Sequence, residues 1–250
     1  MASSHAEKSD AIVIRQADFS ETSKVVTLFT REFGKLSTLA KGAKRLKGPF
    51  EGALDLLAHC RVVFLPKHEA LSLLTEAQLV TRFRPADHNL NRVYAGYYIA
   101  ELLDGLMSER DEHVPLFDRS IHTLDLISHQ PDLRKPLVLY ELALLEQIGL
   151  LPILDQCQCG TPIQPQTTYT FWVSQGVLLC PQCRQPDIPS RDISGGTLAL
   201  LRMLTSGQDK LIDNLKITDH QYKEIRSFLN SSISAALDRK PRMLSMLNVF

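Results

Sequence analysis

Four of the five cysteines lie close together in the chain, in two short pairs. The pairs read C-x-C, followed by a glycine, and C-P-x-C, and the stretch 160–179 separates them. Each pair can supply two thiolates from one tight turn, and four thiolates in a tetrahedron complete a closed zinc site. The segment between them, Tyr169 to Leu179, predicts a β-hairpin. We therefore expect one structural Zn²⁺ per chain in a zinc-ribbon-like element, with the ligands Cys157, Cys159, Cys180 and Cys183.

The spacing of the first pair leaves other interpretations open. Zinc knuckles usually contain C-x-x-C, and Cys157 and Cys159 are one residue closer. The element could be a degenerate ribbon that folds without metal, or the thiols could perform redox chemistry. A catalytic zinc ion is disfavoured, because four thiolates leave no open coordination position and no histidine lies between the pairs. Cys60, in an apolar run, is predicted to be a buried strand residue.

A second group consists of the basic residues Lys35, Lys41, Lys44, Arg45 and Lys47. The stretch 35–47 that contains them has no acidic residue. Clustered cations of this kind neutralise phosphates and drive binding to nucleic acids. The total charge is zero, but the segment 1–84 carries 13 Lys and Arg against 9 Asp and Glu, so its net charge is +4 and that of the remainder is −4. We predict that the five cations contact DNA, with a plain solvated loop as the alternative.

Aromatic side chains would strengthen a nucleic-acid interface, because bases stack on exposed rings. Five phenylalanines lie near the basic residues in the chain, and most of them must be core. They are Phe19, Phe29, Phe33, Phe50 and Phe64. The sequence does not distinguish the exposed rings from the buried ones.

Short β-branched runs dominate the segment 1–84, and turn-forming residues separate them. Five strands with one long loop after the third are typical of a small closed barrel of the oligonucleotide-binding (OB) type, with an SH3-like barrel as the competing fold. The predicted strands are Ala11 to Ala17, Lys24 to Thr30, Lys35 to Ala40, Ala58 to Pro66 and Leu71 to Thr81.

Helical periodicity begins after Pro85 and is interrupted by the cysteine region. Three helices are predicted before it, over 87–108, 114–129 and 136–149, and two after it, over 194–205 and 218–238. We therefore expect an α+β multidomain protein. Its predicted parts are an OB domain at 1–84, a helical domain at 85–151, a zinc-finger-like element at 152–190 and the second part of the helical domain at 191–250.

Composition and motifs exclude several classes of protein. With 44% hydrophobic and 22% charged residues, the chain is typical of a globular protein and not of a disordered one. The polar start predicts no secretory signal, and charged residues and a proline interrupt the longest apolar region, so we expect a cytoplasmic protein. No HExxH, Walker or GxSxG motif accompanies the eight histidines, which argues against an enzyme.

The order of these features resembles the RecO family of bacterial DNA-repair and recombination mediators. The resemblance extends along nearly the whole chain. It rests on the opening 9–14, the run 18–26, the pairs Phe29-Thr30 and Gly34-Lys35, the loop 40–45, the leucine-rich helix near 144–151, and Leu154-Asp155 before the cysteines.

The resemblance implies an OB barrel, a helical domain, a zinc-binding element and no catalysis of bond cleavage. It implies binding to single- and double-stranded DNA, annealing of complementary strands, contact with the tail of single-strand-binding protein (SSB), and RecA loading together with RecR at the nucleoid. Two alternatives remain. The protein could be an interaction scaffold without DNA affinity, or a metal-dependent nuclease that uses Glu101 and Asp104 on one helix face.

Overall fold

The computed structural model describes residues 5–45, 50, 52–67, 70–87, 89–187, 191–207 and 215–247. The chain divides into two compact units. The first comprises Met1–Leu133 with Pro241–Val249, and the second comprises Arg134–Lys240 with Phe250. This division places the first two helices with the barrel, whereas the sequence suggested a boundary after residue 84, so the domain bounds drawn above stay a prediction.

The first unit contains a closed barrel of five strands. They are β1 (Glu7–Asp18), β2 (Lys24–Thr30), β3 (Gly34–Ala40), β4 (His59–Leu65) and β5 (Ser72–Thr81). Around the barrel their order is β1-β2-β3-β5-β4, and every contact is antiparallel except that between β3 and β5. This arrangement confirms the predicted five-stranded OB-like barrel.

Apolar side chains occupy both faces of β1 and β2. Val13 and Leu28 belong to the core inside the barrel. Strand side chains alternate between faces, so Ile12 and Phe29 point outward, yet both are fully buried. Two helices provide the cover, α1 (Leu90–Leu106), which packs on β1, and α2 (Val114–His129).

Contacts of α2 with β2 and with the residue that follows it show how the helix is fixed on the barrel. The ring of Phe117 lies 6.0 Å from the ring of Phe29. Beside it, the guanidinium of Arg31 donates two hydrogen bonds of 2.9 Å to the carboxylate of Asp118. A bidentate pair of this kind fixes orientation as well as distance. The helix is therefore held in one register on the barrel.

The second unit combines three helices with a small sheet. The helices are α3 (Arg134–Gln147), α4 (Gly195–Thr205) and α5 (Asp219–Ala236). The sheet has the order β7-β6-β8, from β6 (Thr168–Trp172), β7 (Val177–Leu179) and β8 (Asp192–Ser194). Strands β6 and β7 form the hairpin predicted between the cysteine pairs. No helix among the described residues is long and apolar enough to cross a bilayer.

A buried ion pair joins α3 to α5. The carboxylate of Glu141 is fully buried and accepts hydrogen bonds from both terminal nitrogens of Arg226, one of them at 3.1 Å. Removing one partner of such a pair leaves an uncompensated buried charge, whereas an apolar pair of similar volume is often tolerated. The second unit therefore depends on both residues together.

We expect Arg226→Met to lower the free energy of unfolding by about 3–5 kcal/mol, because the Glu141 carboxylate stays buried without its cation. Urea unfolding followed by circular dichroism measures the change. Arg202→Gln removes the same charge from an exposed position in the same unit and should cost less than about 0.5 kcal/mol. Arg226→Met combined with Glu141→Met should recover most of the loss. Equal costs for Arg226→Met and Arg202→Gln would contradict the assignment.

Candidate functional site

The structure brings the four predicted cysteine ligands together in the second unit. All four sulfur atoms lie within 4.8 Å of one another, and no other group of three or more histidine, cysteine or acidic residues among the described residues forms such a cluster. Sulfur atoms at about 2.3 Å from a tetrahedral Zn²⁺ would be separated by about 3.8 Å. The spacing therefore fits a four-coordinate metal ion.

Backbone hydrogen bonds shape the short first pair. The amide of Gly160 donates to the carbonyl of Cys157 at 2.8 Å, and the amide of Cys157 donates to the carbonyl of Thr161 at 2.8 Å. The turn needs a φ of +82° at residue 160, which glycine adopts without strain. This tight turn directs both sulfur atoms toward the second pair, although the pair is one residue shorter than usual.

The second pair forms a turn of its own and contacts the first. The amides of Cys183 and Arg184 both donate to the carbonyl of Cys180 at 3.0 Å. The amide of Cys180 itself donates to the sulfur of Cys157 at 3.0 Å. An N–H group aimed at sulfur favours the thiolate, which is the form that binds metals.

The thiols have different environments. Cys157 and Cys180 are buried, Cys183 is half-buried and Cys159 is exposed. The hydroxyl of Thr161, 3.1 Å from the sulfur of Cys159, lowers the pKa of that thiol to about 6. Burial raises the pKa of Cys157, and hydrogen bonding to Cys159 raises the pKa of Cys183 to about 12. Four thiolates at this spacing repel one another, so a bound cation is required to hold all four in that form.

The fifth cysteine is separate from the cluster. Cys60 lies fully buried in the barrel core on β4. Burial raises the pKa of its thiol to about 12, which keeps it protonated and unreactive. This confirms its predicted structural role.

The basic residues predicted to contact DNA fall into three groups in the first unit. Lys44 has partners, since its ammonium lies 2.8 Å from the carboxylate of Asp18 and donates to the carbonyl of Ser20 at 2.9 Å. Its hydrogen bond to Asp18 lowers the pKa of that carboxyl. The amide of Lys44 also donates to the carbonyl of Thr22 at 3.1 Å. Lys44 thus joins the basic loop to the turn between β1 and β2.

Lys35 is also held by the chain. Its ammonium donates at 2.7 Å to the carbonyl of Asp104, in the last turn of α1. A cation at a helix C-terminus satisfies a free carbonyl and stabilises the helix dipole. Lys35 therefore has a structural partner beside β3.

The remaining cations are Lys41 and Arg45, which are exposed. Within the part of the chain that the structure describes, no hydrogen bond or ion pair engages either side chain. Lys47 lies outside the described residues. Two unpaired cations thus stand on the loop that follows β3.

The phenylalanines divide sharply by exposure. Phe29, Phe50 and Phe64 are buried, and Phe33 is half-buried with its ring 5.3 Å from that of Phe64. The side chain of Phe19 is 61% exposed, in the turn between β1 and β2. The sequence did contain a signal for this difference, because Phe19 is the only apolar residue in a polar turn.

The two acids considered for metal-ion chemistry have other contacts. The carboxylate of Glu101 accepts hydrogen bonds of 2.9 Å from the amides of Arg242 and Met243, and so caps the short 3₁₀ helix Met243–Ser245. Asp104 lies 3.6 Å from the guanidinium of Arg15. These contacts are structural, and they give no support to the nuclease alternative.

Two family models match consecutive parts of the chain. The model described as Recombination protein O N terminal matches residues 1–83, and the model described as Recombination protein O C terminal matches residues 87–245. The chain belongs to the RecO family.

Members of the RecO family from other bacteria are similar to it over nearly their whole length. A protein from Rhodopirellula baltica is 36% identical over 95% of this chain and 97% of its own, and one from Roseiflexus is 30% identical over 96% and 84%. One from Oceanobacillus iheyensis is 30% identical over 89% and 85%. Each of the three is named DNA repair protein RecO. The resemblance drawn from the sequence is thereby confirmed at the level of the family.

Proposed function

We propose that this RecO-family protein mediates DNA repair and homologous recombination by binding single- and double-stranded DNA and annealing complementary strands, without cleaving them. With RecR, it helps to load RecA recombinase onto DNA coated by single-strand-binding protein, whose tail it binds. Family membership and the names of its relatives support a role in DNA repair. Such a role places the protein in the cytoplasm, at the nucleoid.

The observation that carries the proposal is a pair of exposed cations on an OB-like barrel that have no partner among the described residues. Barrels of this type bind oligonucleotides with their loops and one sheet face. Lys41 and Arg45 extend from the loop after β3, which Lys44 bonds to the β1–β2 turn, and no described residue neutralises them. A phosphate that replaces their counterions gains the free energy of counterion release.

The other predicted contacts then have different roles. Lys44 orders the loop through Asp18 and Ser20, which keeps its neighbours in position. Lys35 meets the backbone of DNA only if it leaves the carbonyl of Asp104. Lys41 and Arg45 are therefore the principal phosphate contacts in this proposal.

For the cysteine cluster, we propose a structural Zn²⁺ ion held by Cys157, Cys159, Cys180 and Cys183. Four thiolates suit zinc and leave no position for a substrate. When bound, the ion supplies four strong cross-links between two turns. The region needs them, because it is rich in proline and its sheet has strands of three to five residues. The metal would thus hold the two turns together, while Phe171 packs on Phe228 of α5.

DNA binding predicts a salt effect that depends on two residues. We expect the combination of Lys41→Ala and Arg45→Ala to lower the magnitude of the slope of log K against log salt by about 1.4 for a single strand, since each phosphate contact contributes about 0.7. Fluorescence anisotropy with a labelled oligonucleotide at several salt concentrations measures the slope.

A matched control removes the same charge from another part of the barrel. Lys8 lies at the start of β1, and the 71%-exposed side chain of Arg61 lies on β4 beside it. Lys8→Ala with Arg61→Ala should change the slope by less than half as much. If both double variants lowered the slope equally, DNA binding would depend on the net charge of the barrel and not on phosphate contacts at Lys41 and Arg45. Wild-type protein that binds neither DNA form would support the scaffold alternative.

The metal site predicts about one zinc per chain by elemental analysis of protein purified under reducing conditions. Cys157→Ser should lose most of this zinc, because it removes a buried ligand. Cys60→Ala removes a thiol outside the cluster and should retain it. Chelation should also open residues 152–187 to protease, since metal binding and local folding are coupled.

Three results would contradict the zinc assignment. If the wild-type protein contains a different metal and Cys157→Ser loses it, the cluster binds that metal and not zinc. Metal-free protein with the same protease resistance as the loaded form would favour the degenerate ribbon, and a disulfide between the pairs in freshly purified protein would favour redox chemistry.

A further inference from the structure

The face that OB barrels usually offer to an oligonucleotide is covered in this protein. That face is the outer surface of β2 and β3, and the β1–β2 and β4–β5 loops border it. On β2, the outward-facing side chains of Thr27 and Phe29 are buried, the second against Phe117 of α2. A strand of DNA cannot lie on this half of the face without displacing the helix.

The beginning of β3 is covered as well, by the segment between α1 and α2. The amide of Arg110 donates to the carbonyl of Lys35 at 2.9 Å, and the hydroxyl of Ser37 donates to the carboxylate of Glu109 at 2.7 Å. The contact is close, since a Cβ at position 34 would lie 1.9 Å from the carbonyl oxygen of Asp111. Only glycine, with its φ of +61°, fits there.

This segment also has an unfavourable charge for DNA. Its exposed acids are Glu109, Asp111 and Glu112. The guanidinium of Arg110 donates to the carbonyl of Lys67, and the ammonium of Lys35 is bound to Asp104. Carboxylates therefore border the first half of β3, and they repel a phosphate backbone at this place.

The opposite end of the barrel has the complementary properties. The turn between β1 and β2 and the loop after β3 meet there, because Lys44 bonds to Asp18, Ser20 and Thr22 of the turn. The turn carries the exposed ring of Phe19 and one exposed acid, Glu21. The loop carries Lys41 and Arg45, which have no partner among the described residues. An exposed aromatic ring beside free cations is the combination that binds single strands without sequence preference.

We propose that this barrel binds single-stranded DNA at the end formed by the β1–β2 turn and the loop 41–45, with a base stacked on Phe19, and not on its β2–β3 face. The inference rests on the proposed DNA binding and adds a location and a substrate form to it. Stacking requires an unpaired base, because both faces of a base inside a duplex are already covered. Phe19 is therefore the residue that favours a single strand over a duplex, while Lys41 and Arg45 bind the phosphates of either form.

The test compares dissociation constants for a single-stranded oligonucleotide and a long blunt-ended duplex, which has no unpaired bases, at one salt concentration. Phe19→Ala should weaken single-strand binding by about 5- to 150-fold, the equivalent of the 1–3 kcal/mol that one stacked base contributes. Duplex binding should change less than about twofold, and the salt slope should stay constant because no charge is lost.

Phe19→Trp provides both a rescue and a direct signal. It should retain single-strand affinity, and its indole fluorescence should be quenched by a single strand and not by the duplex. The background comes from Trp172 alone, and the wild-type protein corrects for it. A loss of folding in Phe19→Ala would appear in its circular dichroism. In that case, the quenching of Phe19→Trp by a single strand tests whether a base stacks at position 19.

Leu39→Ala tests the competing location, since Leu39 is half-buried on the outward face of β3. It should leave binding unchanged, and a larger loss than that of Phe19→Ala would overturn the inference.

Equal affinity of Phe19→Ala and wild type for the single strand would also overturn the inference. In that case the combination of Lys41→Ala and Arg45→Ala separates the two proposals. A reduced salt slope would leave DNA binding intact, whereas an unchanged slope would contradict the proposed function too.

Discussion

The burial of β1 and β2 on both faces is the constraint on which the first unit depends. A small barrel normally buries only the inward side chains of its strands, and the outward ones meet solvent. Here Ile12 and Phe29 point outward and are buried. Leaving two large apolar side chains in water would cost about 1.5–3 kcal/mol each. The helices α1 and α2 must therefore pack on the barrel, and this decides which of its surfaces remain open.

Local patterns in the sequence were sufficient to predict most of the elements and the cluster of four cysteines. The bounds of β2 and of α2 were predicted to the residue, because turn residues or a helix-starting proline mark their ends. Strand β8 was not predicted. It has three residues, and it exists because it pairs with Thr168–Thr170 of β6. The cysteine cluster was predictable because glycine and proline mark both turns, so it depends on short-range structure.

The roles of the individual cations were not predictable in the same way. Lys35 and Lys41 are both lysines at the two ends of one strand, and nothing local distinguishes them. Their difference comes from Asp104, which is 69 residues from Lys35 along the chain and reaches it only after α1 has packed on the barrel. Long-range contacts thus decide which charges are free, while the sequence shows only where charges are. The exposure of Phe19, in contrast, was predictable, because a turn between two predicted strands is rarely buried.

The ion pairs between the covering helices and the barrel change the distribution of charge that the sequence suggested. The excess of +4 in the segment 1–84 suggested that the barrel carries a surface for phosphate. Acids of the covering helices neutralise part of it, since Asp118 pairs with Arg31 and Asp104 lies 3.6 Å from Arg15. Both pairs lie on the covered side of the barrel. Lys41 and Arg45, on the loop after β3, have no acidic partner among the described residues. The field of such exposed cations extends over about 8–10 Å of salt solution before it is screened. The same packing that removes the usual face from reach therefore leaves the positive potential at the end of the barrel that stays open.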